Sequence, residues 1–470
     1  HVLVVRRPAD RRGGLQRDDV GATLSQSDAF AEDTPAGDVA AIVEPLYRID
    51  ERPERLWEAV LYGWQHTLVD ISPFVLPLAV AAGLGLDDVG SAALISACLV
   101  AMGLATWIQT TVGNRLPIVQ GPSAPLAATM GPLAASLGGP AMWGGVFAGA
   151  LLEAAVGASR IMGLLRRFFP PAVAGTVVLA IGLSLGQLAA RLSIGDGSPR
   201  TIFYAAAVLA VVFTLQTAGA RLVGGLLGRG AIFFAIWAVG LGIGGAFGDV
   251  RFDLVADAAW IAWPTFFPYG GPGFGWTWSI AAFLILLAGY LASMVESLGD
   301  YAATCTVAGE RYRVEHMNRG LFAEGIGCAL ASCLGALPCT SYTQNVGILA
   351  TTRVASRFVV QLAGGVLLLY GLCPKFGALL VALPRSVLGG VFVIVCGSIV
   401  VSGIRLIQTA PATPRQGLVI GTTLILAFGI PTHSDRLGLS SGLDLLVGNP
   451  VVLAVVLAVG LNALLVGRDR

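Results

Sequence analysis

Charged residues are scarce in this chain. Only 12% of its 470 residues are Asp, Glu, Lys or Arg, whereas 55% are hydrophobic. Because soluble globular proteins carry roughly 25% charged residues, this composition excludes an ordinary soluble domain. The mean hydropathy of +0.78 and the repeated long apolar runs predict an all-α polytopic membrane protein.

Lysine, histidine and cysteine are few, and their placement excludes several functions. Lys375 is the single lysine, and the basic residues form no tract of the kind that binds nucleic acid. The four histidines lack the His-Glu-x-x-His spacing of a metal-dependent enzyme. The seven cysteines lie mostly in apolar runs without the spacing of a disulfide framework. We therefore expect no enzyme, no metal, no cofactor and no nucleic-acid partner.

Two of about fourteen apolar segments are unusually short and are interrupted by Pro or Gly. LPIVQGPSAPLAATMG begins at Leu116 and LPCTSYTQNVGILAT begins at Leu337, and they are the third and tenth segments. Broken segments at matching positions indicate an inverted repeat of seven plus seven spans with a midplane binding site. Residues 170–177 and 384–391 share Pro, Val, Gly and Val at matching offsets, which supports this repeat.

The charged termini and loops set the expected orientation. Residues 1–55 are charged, lack an apolar signal-like run, and are predicted to form a flexible cytoplasmic tail. With the N-terminus inside, thirteen Arg residues fall on inner loops and five basic residues fall on outer loops. The positive-inside rule then predicts a plasma-membrane protein with both termini in the cytoplasm.

Two carboxylates, Glu296 and Asp300, lie inside the apolar stretch AAFLILLAGYLASMVESLGDYAATC. An ionisable group at membrane depth costs roughly 2.5–3.5 kcal/mol on insertion scales. Their spacing of four residues places both on one helix face. A polar segment, residues 340–347, contains Gln344 and is suited to begin a helix, where backbone N–H groups are free. Together these groups predict a site for a planar ligand with N–H and C=O edges, such as a nucleobase, on which Tyr342 could stack.

The stretch TQNVGILATTRVASR, residues 343–357, resembles the signature of the nucleobase–ascorbate transporter family, also called the xanthine/uracil permeases. The family pattern is Gln/Glu-Asn-x-Gly-x-x-x-x-Thr-Arg/Lys/Gly, and it is matched by Gln344, Asn345, Gly347, Thr352 and Arg353. Further family-like stretches follow in the family's order over roughly residues 57–467: GWQHTL with Gln65 and His66, IVQGPS with Gln120 and Gly121, VESLGDY, and NRGLFAEGIG from Asn318.

The resemblance implies fourteen spans, divided into a core domain (spans one to four and eight to eleven) and a gate domain (spans five to seven and twelve to fourteen). It also implies proton-coupled uptake by an elevator-like movement, a nucleobase substrate and a homodimer, with Na⁺ as the alternative coupling ion. The expected boundaries are 1–55 for the tail, 56–165 and 276–374 for the core, 166–250 and 375–470 for the gate, and 251–275 for an extracellular loop.

Carried over residue by residue, the resemblance implies the following roles. Glu296 and Gln344 would hydrogen-bond the base. Tyr342 stands at the family's aromatic position, and Ala124 and Val346 complete the expected substrate-binding set. Proton coupling would involve Asp300, Asn345 and His66, and a structural role is expected for Gly347, Thr352, Arg353, Gln120 and Gly121.

The choice of substrate also rests on the resemblance. Purine carriers of the family tend to have Gln and Asp at positions 344 and 300, as here, whereas uracil carriers tend to have Glu and His. Ascorbate carriers tend to have Pro at position 344. We therefore expect an oxopurine such as xanthine or uric acid. Ala124 replaces the usual Phe that packs on the ligand, so the pocket is larger, the ligand differs, or another aromatic fills the place.

Other interpretations stay open at this point. A uracil or ascorbate carrier would keep the family, and an anion transporter of the same architecture predicts a site without paired carboxylates. An intramembrane protease requires a nucleophile–base pair or metal ligands, and a channel requires a continuous pore. Among other acidic residues in predicted spans, Glu153 is interpreted as a contact between core and gate, Glu324 as structural, and Asp70 has no assigned role.

Overall fold

The structure is a computed structural model that describes residues 45–69, 72–162, 168–218, 228, 230–266, 276–439 and 441–466. In this part of the chain, helices dominate and two short strands form one sheet. The elements up to residue 257 are α1 (Leu56–Val69), α2 (Ser72–Leu84), α3 (Asp88–Thr111), β1 (Gln120–Pro122), α4 (Ala124–Leu137), α5 (Gly139–Ser159), α6 (Pro171–Ile194), α7 (Pro199–Thr217), α8 (Ala231–Ala235), a π-helical stretch (Ile236–Ile243), α9 (Gly244–Ala246) and α10 (Phe252–Asp257).

The second half contains the longest helix and the second strand. Its elements are α11 (Ile280–Ala308), α12 (Val314–Cys333), β2 (Cys339–Ser341), α13 (Thr343–Thr352), α14 (Arg357–Gly371), α15 (Pro374–Ala382), α16 (Arg385–Gln408), α17 (Pro414–Gly429), a 3₁₀ helix (Pro431–Leu437), α18 (Ser441–Val447) and α19 (Pro450–Leu465).

Several helices begin at residues whose side chains cap them. Asp87 caps α3 by accepting a hydrogen bond from the backbone N–H of Gly90 at 2.7 Å. Ser198 caps α7, and Asn449 caps α19 by accepting from two backbone N–H groups. Pro occupies the first position of both α7 and α19, where its missing N–H costs no helical hydrogen bond.

Six helices in the described part are long and apolar enough to cross a membrane: α3, α5, α6, α7, α11 and α16. The bent pair α14 and α15, whose axes differ by 73°, makes a seventh if it counts as one span. Shorter apolar helices accompany them, among them α4 and α19. Because a helix needs about 20 apolar residues to cross the hydrocarbon layer, the chain is an integral membrane protein.

The helices pack in two groups. The first helix group consists of α1–α5 and α11–α15, in which α5 packs along α12 and α14 packs along α3. The second helix group consists of α6–α9 and α16–α19, in which α6 packs along most of α16. Fewer contacts join the two groups, mainly from α11 to α18 and α19 and from α4 to α6.

Residues 45–55 correct the prediction of a flexible tail over 1–55. The backbone N–H of Leu46 donates to the carbonyl of Arg353 at 2.7 Å, and the N–H of Arg357 donates to Ile49 at 2.9 Å. Asp50 forms an ion pair with Arg357 at 2.7 Å. These contacts attach the segment to the chain that follows α13, while residues 1–44 lie outside the described residues.

The two short strands meet at the centre of the first helix group. β1 and β2 are antiparallel, with Gln120 opposite Ser341. The pairing continues past the strands, since Tyr342 N–H donates to Val119 at 3.2 Å and Ser123 N–H donates to Pro338 at 2.8 Å. Each strand leads into a short helix, α4 or α13, so both broken segments are half-helices preceded by an extended piece.

Gly121 is required by the close approach at this crossing. A Cβ atom at Gly121 would lie 2.5 Å from the Cζ atom of the Tyr342 ring, closer than carbon atoms can approach. We expect Gly121→Ala to lower the free energy of unfolding by about 1–3 kcal/mol, because the buried ring has to move. Thermal unfolding of the purified protein in detergent measures this loss.

Gly186→Ala is the matched control for this experiment. Gly186 lies within α6, and no heavy atom lies within 4 Å of the position that a Cβ would take there, so this variant should be as stable as the wild type. Adding Tyr342→Ala to Gly121→Ala should recover part of the loss, since the clash disappears. An unchanged unfolding temperature for Gly121→Ala would contradict the described crossing.

Candidate functional site

One face of α11 carries the polar residues of the membrane interior. Ser293, Glu296, Ser297, Asp300 and Tyr301 follow one another at helical spacing, and all except Glu296 are fully buried. The Ser123 hydroxyl, at the start of α4, donates to Ser293 at 3.2 Å. This polar face therefore contacts the broken segment of each half of the chain.

Asp300 binds the start of α13 through two hydroxyl groups. Its carboxylate oxygens accept from Ser341 Oγ at 2.8 Å and from Thr343 Oγ1 at 2.7 Å. Ser341 ends β2 and Thr343 begins α13, so one carboxylate fixes the point where the extended chain becomes helical. A carboxylate accepts such bonds only through its oxygens, which makes this start sensitive to protonation of Asp300.

Glu324 forms a second network on the other side of β2. Its oxygens accept from Ser297 Oγ at 2.5 Å and from Tyr301 Oη at 2.6 Å. Thr340 Oγ1 lies 2.9 Å from Ser297 Oγ, and Gln109 Nε2 donates to Tyr301 Oη at 3.0 Å. Glu324 thereby connects α11, α12, α3 and β2.

Glu296 and Gln344 remain available for a ligand. Glu296 lies one turn of α11 before Asp300, is half-buried, and accepts no hydrogen bond from the described residues. Gln344 is the second residue of α13, and its side chain is exposed. Neither α4 nor α13 has a side-chain cap. The Asn345 N–H donates to the Tyr342 carbonyl at 3.1 Å, and the N–H of Gln344, one residue earlier, can bind an acceptor.

The structure brings together His66 and Asn345, two of the residues that the resemblance assigns to proton coupling. The Nδ1 atom of His66 on α1 makes a short hydrogen bond with Oδ1 of Asn345 on α13, and both side chains are buried. The contact attaches α1 to the same half-helix that Asp300 fixes at its start.

Tyr342, which follows β2, packs against the opposite strand β1. Its ring covers Gly121, its hydroxyl donates to the Pro122 carbonyl at 3.2 Å, and the side chain is 5% exposed. Ala124 and Val346, the first residue of α4 and the fourth of α13, are half-buried nearby. Contact of these three residues with a ligand stays a prediction.

The remaining motif residues shape α13 and β1. Thr352 Oγ1 donates to the Ile348 carbonyl at 2.8 Å, and Arg353 ends α13 with a positive φ of 62°. A Cβ at Gly347 would meet open space. Gln120 is fully buried, and its side-chain amide has no hydrogen-bond partner among the described residues.

Sequence reasoning missed the hydroxyl partners of the carboxylates. Ser297 and Tyr301 could have been found from their spacing with Glu296 and Asp300 on one helix face. Ser341 and Thr343 gave no such signal, because their contact with Asp300 depends on the register of the crossing. Within the described ranges, no group of three or more His, Cys, Asp or Glu side chains lies close enough to hold a metal ion.

We expect the two hydroxyls that bind Asp300 to stabilise the protein separately. Hydrogen bonds to a charged group contribute about 1.5–3 kcal/mol each, so Ser341→Ala and Thr343→Val should each lower the unfolding temperature. Thr351→Val is the control, because this exposed hydroxyl bonds only to helix carbonyls. A variant with both Ser341→Ala and Thr343→Val that is as stable as Thr351→Val would contradict a role of Asp300 in stabilising the start of α13.

The sequence matches known permeases over most of its length. The family model described as "Permease family", that of the xanthine/uracil permeases, matches residues 57–436. Xanthine permease XanQ of Escherichia coli K12 is 31% identical over 458 residues, covering 90% of this chain and 94% of XanQ. Uric acid permease PucK of Bacillus subtilis is 30% identical over 426 residues, covering 86% of this chain and 95% of PucK.

Solved transporter structures share the fold. The transmembrane domain of a cyanobacterium bicarbonate transporter, BicA, superposes with a TM-score of 0.57 at 15% identity, over 88% of this chain and 98% of that domain. The murine Slc26a9 anion transporter in the inward-facing state gives 0.60 at 13% identity, over 98% of this chain and 77% of that one. These identities show a common fold alone. The family match and the relatives show more: the chain is a permease, not an enzyme, and belongs to the xanthine/uracil permease family.

Proposed function

We propose that this permease imports an oxopurine, xanthine or uric acid, together with protons by an elevator-type alternating-access movement. The observation that carries the proposal is the Glu296 carboxylate, which is half-buried in the membrane interior and accepts no hydrogen bond from the described residues. A buried acceptor of this kind is costly unless a ligand uses it.

The groups around Glu296 suit the edge of an oxopurine. Such a ring alternates N–H donors with carbonyl acceptors. Glu296 can accept from a ring N–H, and the Gln344 amide offers both an acceptor and two hydrogens. Backbone N–H groups at the starts of α4 and α13, such as that of Gln344, can donate to the ring carbonyls. The site thus contains a partner for each kind of polar group on the ligand.

The relatives support a purine over the alternatives. XanQ is named for xanthine and PucK for uric acid, and each is about 30% identical to this chain. Gln344 and Asp300 form the combination that the resemblance associates with purine carriers. A uracil or ascorbate carrier is the alternative within the family. An anion transporter is disfavoured because Glu296, Asp300 and Glu324 place three carboxylates near the crossing.

The hydrogen bonds of Asp300 suggest how proton binding and substrate binding are coupled. A proton on Asp300 turns one of its acceptor oxygens into a donor, so the bond from Ser341 or Thr343 has to rearrange. Because α13 carries Gln344 and Asn345, this rearrangement acts on the proposed substrate site. His66 and Asn345 would transmit it to α1.

Two symmetric contacts support seven plus seven inverted spans. Gln120 and Ser341 are paired, and each is the fifth residue of a segment that begins with Leu-Pro. A Cβ at Gly175 would lie 2.7 Å from Cγ1 of Ile407, and one at Gly389 would lie 2.4 Å from the backbone N of Ser193. In the Pro-Val-Gly-Val match, Gly175 corresponds to Gly389, and at the same offset Ser193 corresponds to Ile407. Each contact is therefore the counterpart of the other in the opposite half of the chain.

The fourteen spans of the proposal include broken ones. They combine the six long helices, the bent pair α14 and α15, and shorter apolar helices such as α4 and α19. The proposal also places a homodimer in the plasma membrane with both termini in the cytoplasm. The distribution of Arg between alternate loops supports this orientation.

Glu296 and Asp300 should affect binding and transport differently. We expect Glu296→Gln to abolish xanthine binding, because an amide NH₂ meets the ring N–H where a carboxylate accepted it. Asp300→Asn should reduce proton-driven uptake far more than binding, since it removes a group that can take up a proton. Equilibrium binding and uptake of labelled xanthine, measured on the same preparations, separate the two effects.

Two outcomes would contradict these assignments. Wild-type xanthine affinity in Glu296→Gln would remove Glu296 from the substrate site. Full accumulation against a gradient by Asp300→Asn would remove Asp300 from proton coupling. Glu315→Gln, an exposed position at the start of α12, serves as the control and should behave as the wild type in both assays.

An ion pair tests whether the two helix groups move relative to each other. Asp88 on α3 in the first group binds Arg385 on α16 in the second at 3.3 Å, and Arg251 also binds Asp88. We expect a reducible cross-link between Asp88→Cys and Arg385→Cys to stop uptake, and reduction to restore it. Each single variant with the same reagent is the control. Full uptake by the cross-linked protein would contradict an elevator movement at this point.

A further inference from the structure

Glu153 lies where α5 packs on α12, inside the first helix group and away from the second helix group. It is on α5, which packs closely along α12, since a Cβ at Gly325 would lie 2.4 Å from the backbone N of Ala154. The Glu153 side chain is 1% exposed. The sequence-based interpretation of Glu153 as a contact between core and gate is therefore wrong.

The groups that face Glu153 include no cation among the described residues. Glu324 on α12 is close enough for electrostatic repulsion, and Cys328 lies one turn further along the same helix. Tyr290 and Tyr301 face it from α11. Two buried carboxylates without a neighbouring cation cannot both be charged at acceptable cost in the membrane interior. The pair therefore holds at least one proton.

The hydrogen-bond partners of Glu324 favour it as the charged member. Gln109 donates to Tyr301, and Tyr301 in turn donates its only hydroxyl hydrogen to Glu324. Ser297 donates to the other oxygen of Glu324. Both oxygens thus accept hydrogen bonds from hydroxyl groups, which is the pattern that stabilises an ionised carboxylate.

The same reasoning places a hydrogen on Glu153. Its Oε1 atom is buried and has no hydrogen-bond partner among the described residues. The Cys328 thiol lies 3.0 Å from the carbonyl oxygen of Cys339, to which it donates its single hydrogen. That hydrogen is therefore not available to Glu153, and an ionised carboxylate at this position would place Oε1 in the membrane interior without a donor.

We propose that Glu153 is a permanently protonated carboxylic acid that keeps the single negative charge of the pair on Glu324. It is a positioning residue, because the charged Glu324 orients Ser297 and Tyr301 at the strand crossing. An ionised Glu153 would repel Glu324 and favour its protonation, and the hydroxyl bonds would then rearrange. This role does not depend on which base the permease carries.

Infrared difference spectroscopy tests the proposal directly, because a protonated carboxylic acid has its own carbonyl stretching band. We expect such a band in the wild type from mildly acidic to mildly alkaline pH, unchanged by added xanthine. Glu153→Gln should remove it, Glu153→Asp should retain it, and Glu315→Gln should leave it unaltered. This measurement requires folded protein but no transport, so it stays informative if the proposed substrate is wrong.

Uptake assays provide the functional half of the test. Glu153→Gln should keep uptake within about twofold of the wild type with the same pH profile, since the amide is also neutral and nearly isosteric. Glu324→Gln should reduce uptake by about tenfold or more, because it loses the charge that the hydroxyls bind. The proposal would be overturned if Glu153→Gln left the infrared band in place, or if the band changed with xanthine or the pH profile shifted in that variant.

Discussion

Extended backbone at membrane depth has to find hydrogen-bond partners inside the protein, and this constraint organises the structure. Helices satisfy their own N–H and C=O groups, but the segments before α4 and α13 do not. They satisfy each other instead, by pairing Gln120 with Ser341 and by continuing the pairing on both sides. Gly121 allows the approach, because any larger residue would meet the Tyr342 ring.

The side chains that support this crossing also form the site. Asp300 and Glu324 hold β2 from two sides through hydroxyl groups, and Glu296 lies on the same helix face with its carboxylate available. A change of charge at either bound carboxylate alters the crossing itself. Under the proposed proton coupling, a proton on Asp300 would act directly on the half-helix that carries Gln344 and Asn345.

Much of this site could be predicted from residues that are close in sequence. The spacing of Glu296 and Asp300 placed them on one face, and the Leu-Pro openings marked both broken segments. Contacts between distant segments could not be predicted, because they depend on the register of β1 with β2. Three contacts are of this kind: that of Asp300 with Ser341, that of the Tyr342 ring with Gly121, and the hydrogen bond of His66 with Asn345.

Two predictions that rested on composition alone were wrong. Residues 45–55 are charged and polar, which is typical of a tail, yet they pair with the chain that leaves α13. Their partners include the carbonyl of Arg353, which is exposed because this residue ends the helix with a positive φ. Glu153 was predicted to contact the gate domain, because the residues around it are apolar on every side of α5 and do not indicate which side faces α12. The packing of Gly325 against Ala154 decides that direction.

The most direct measurement is uptake of labelled xanthine into proteoliposomes under an inward proton gradient, with uric acid, uracil and ascorbate as competitors. The account predicts accumulation that collapses with a protonophore and yields to uric acid but not to uracil. Transport of uracil or ascorbate without xanthine, or xanthine uptake that ignores the proton gradient, would contradict it.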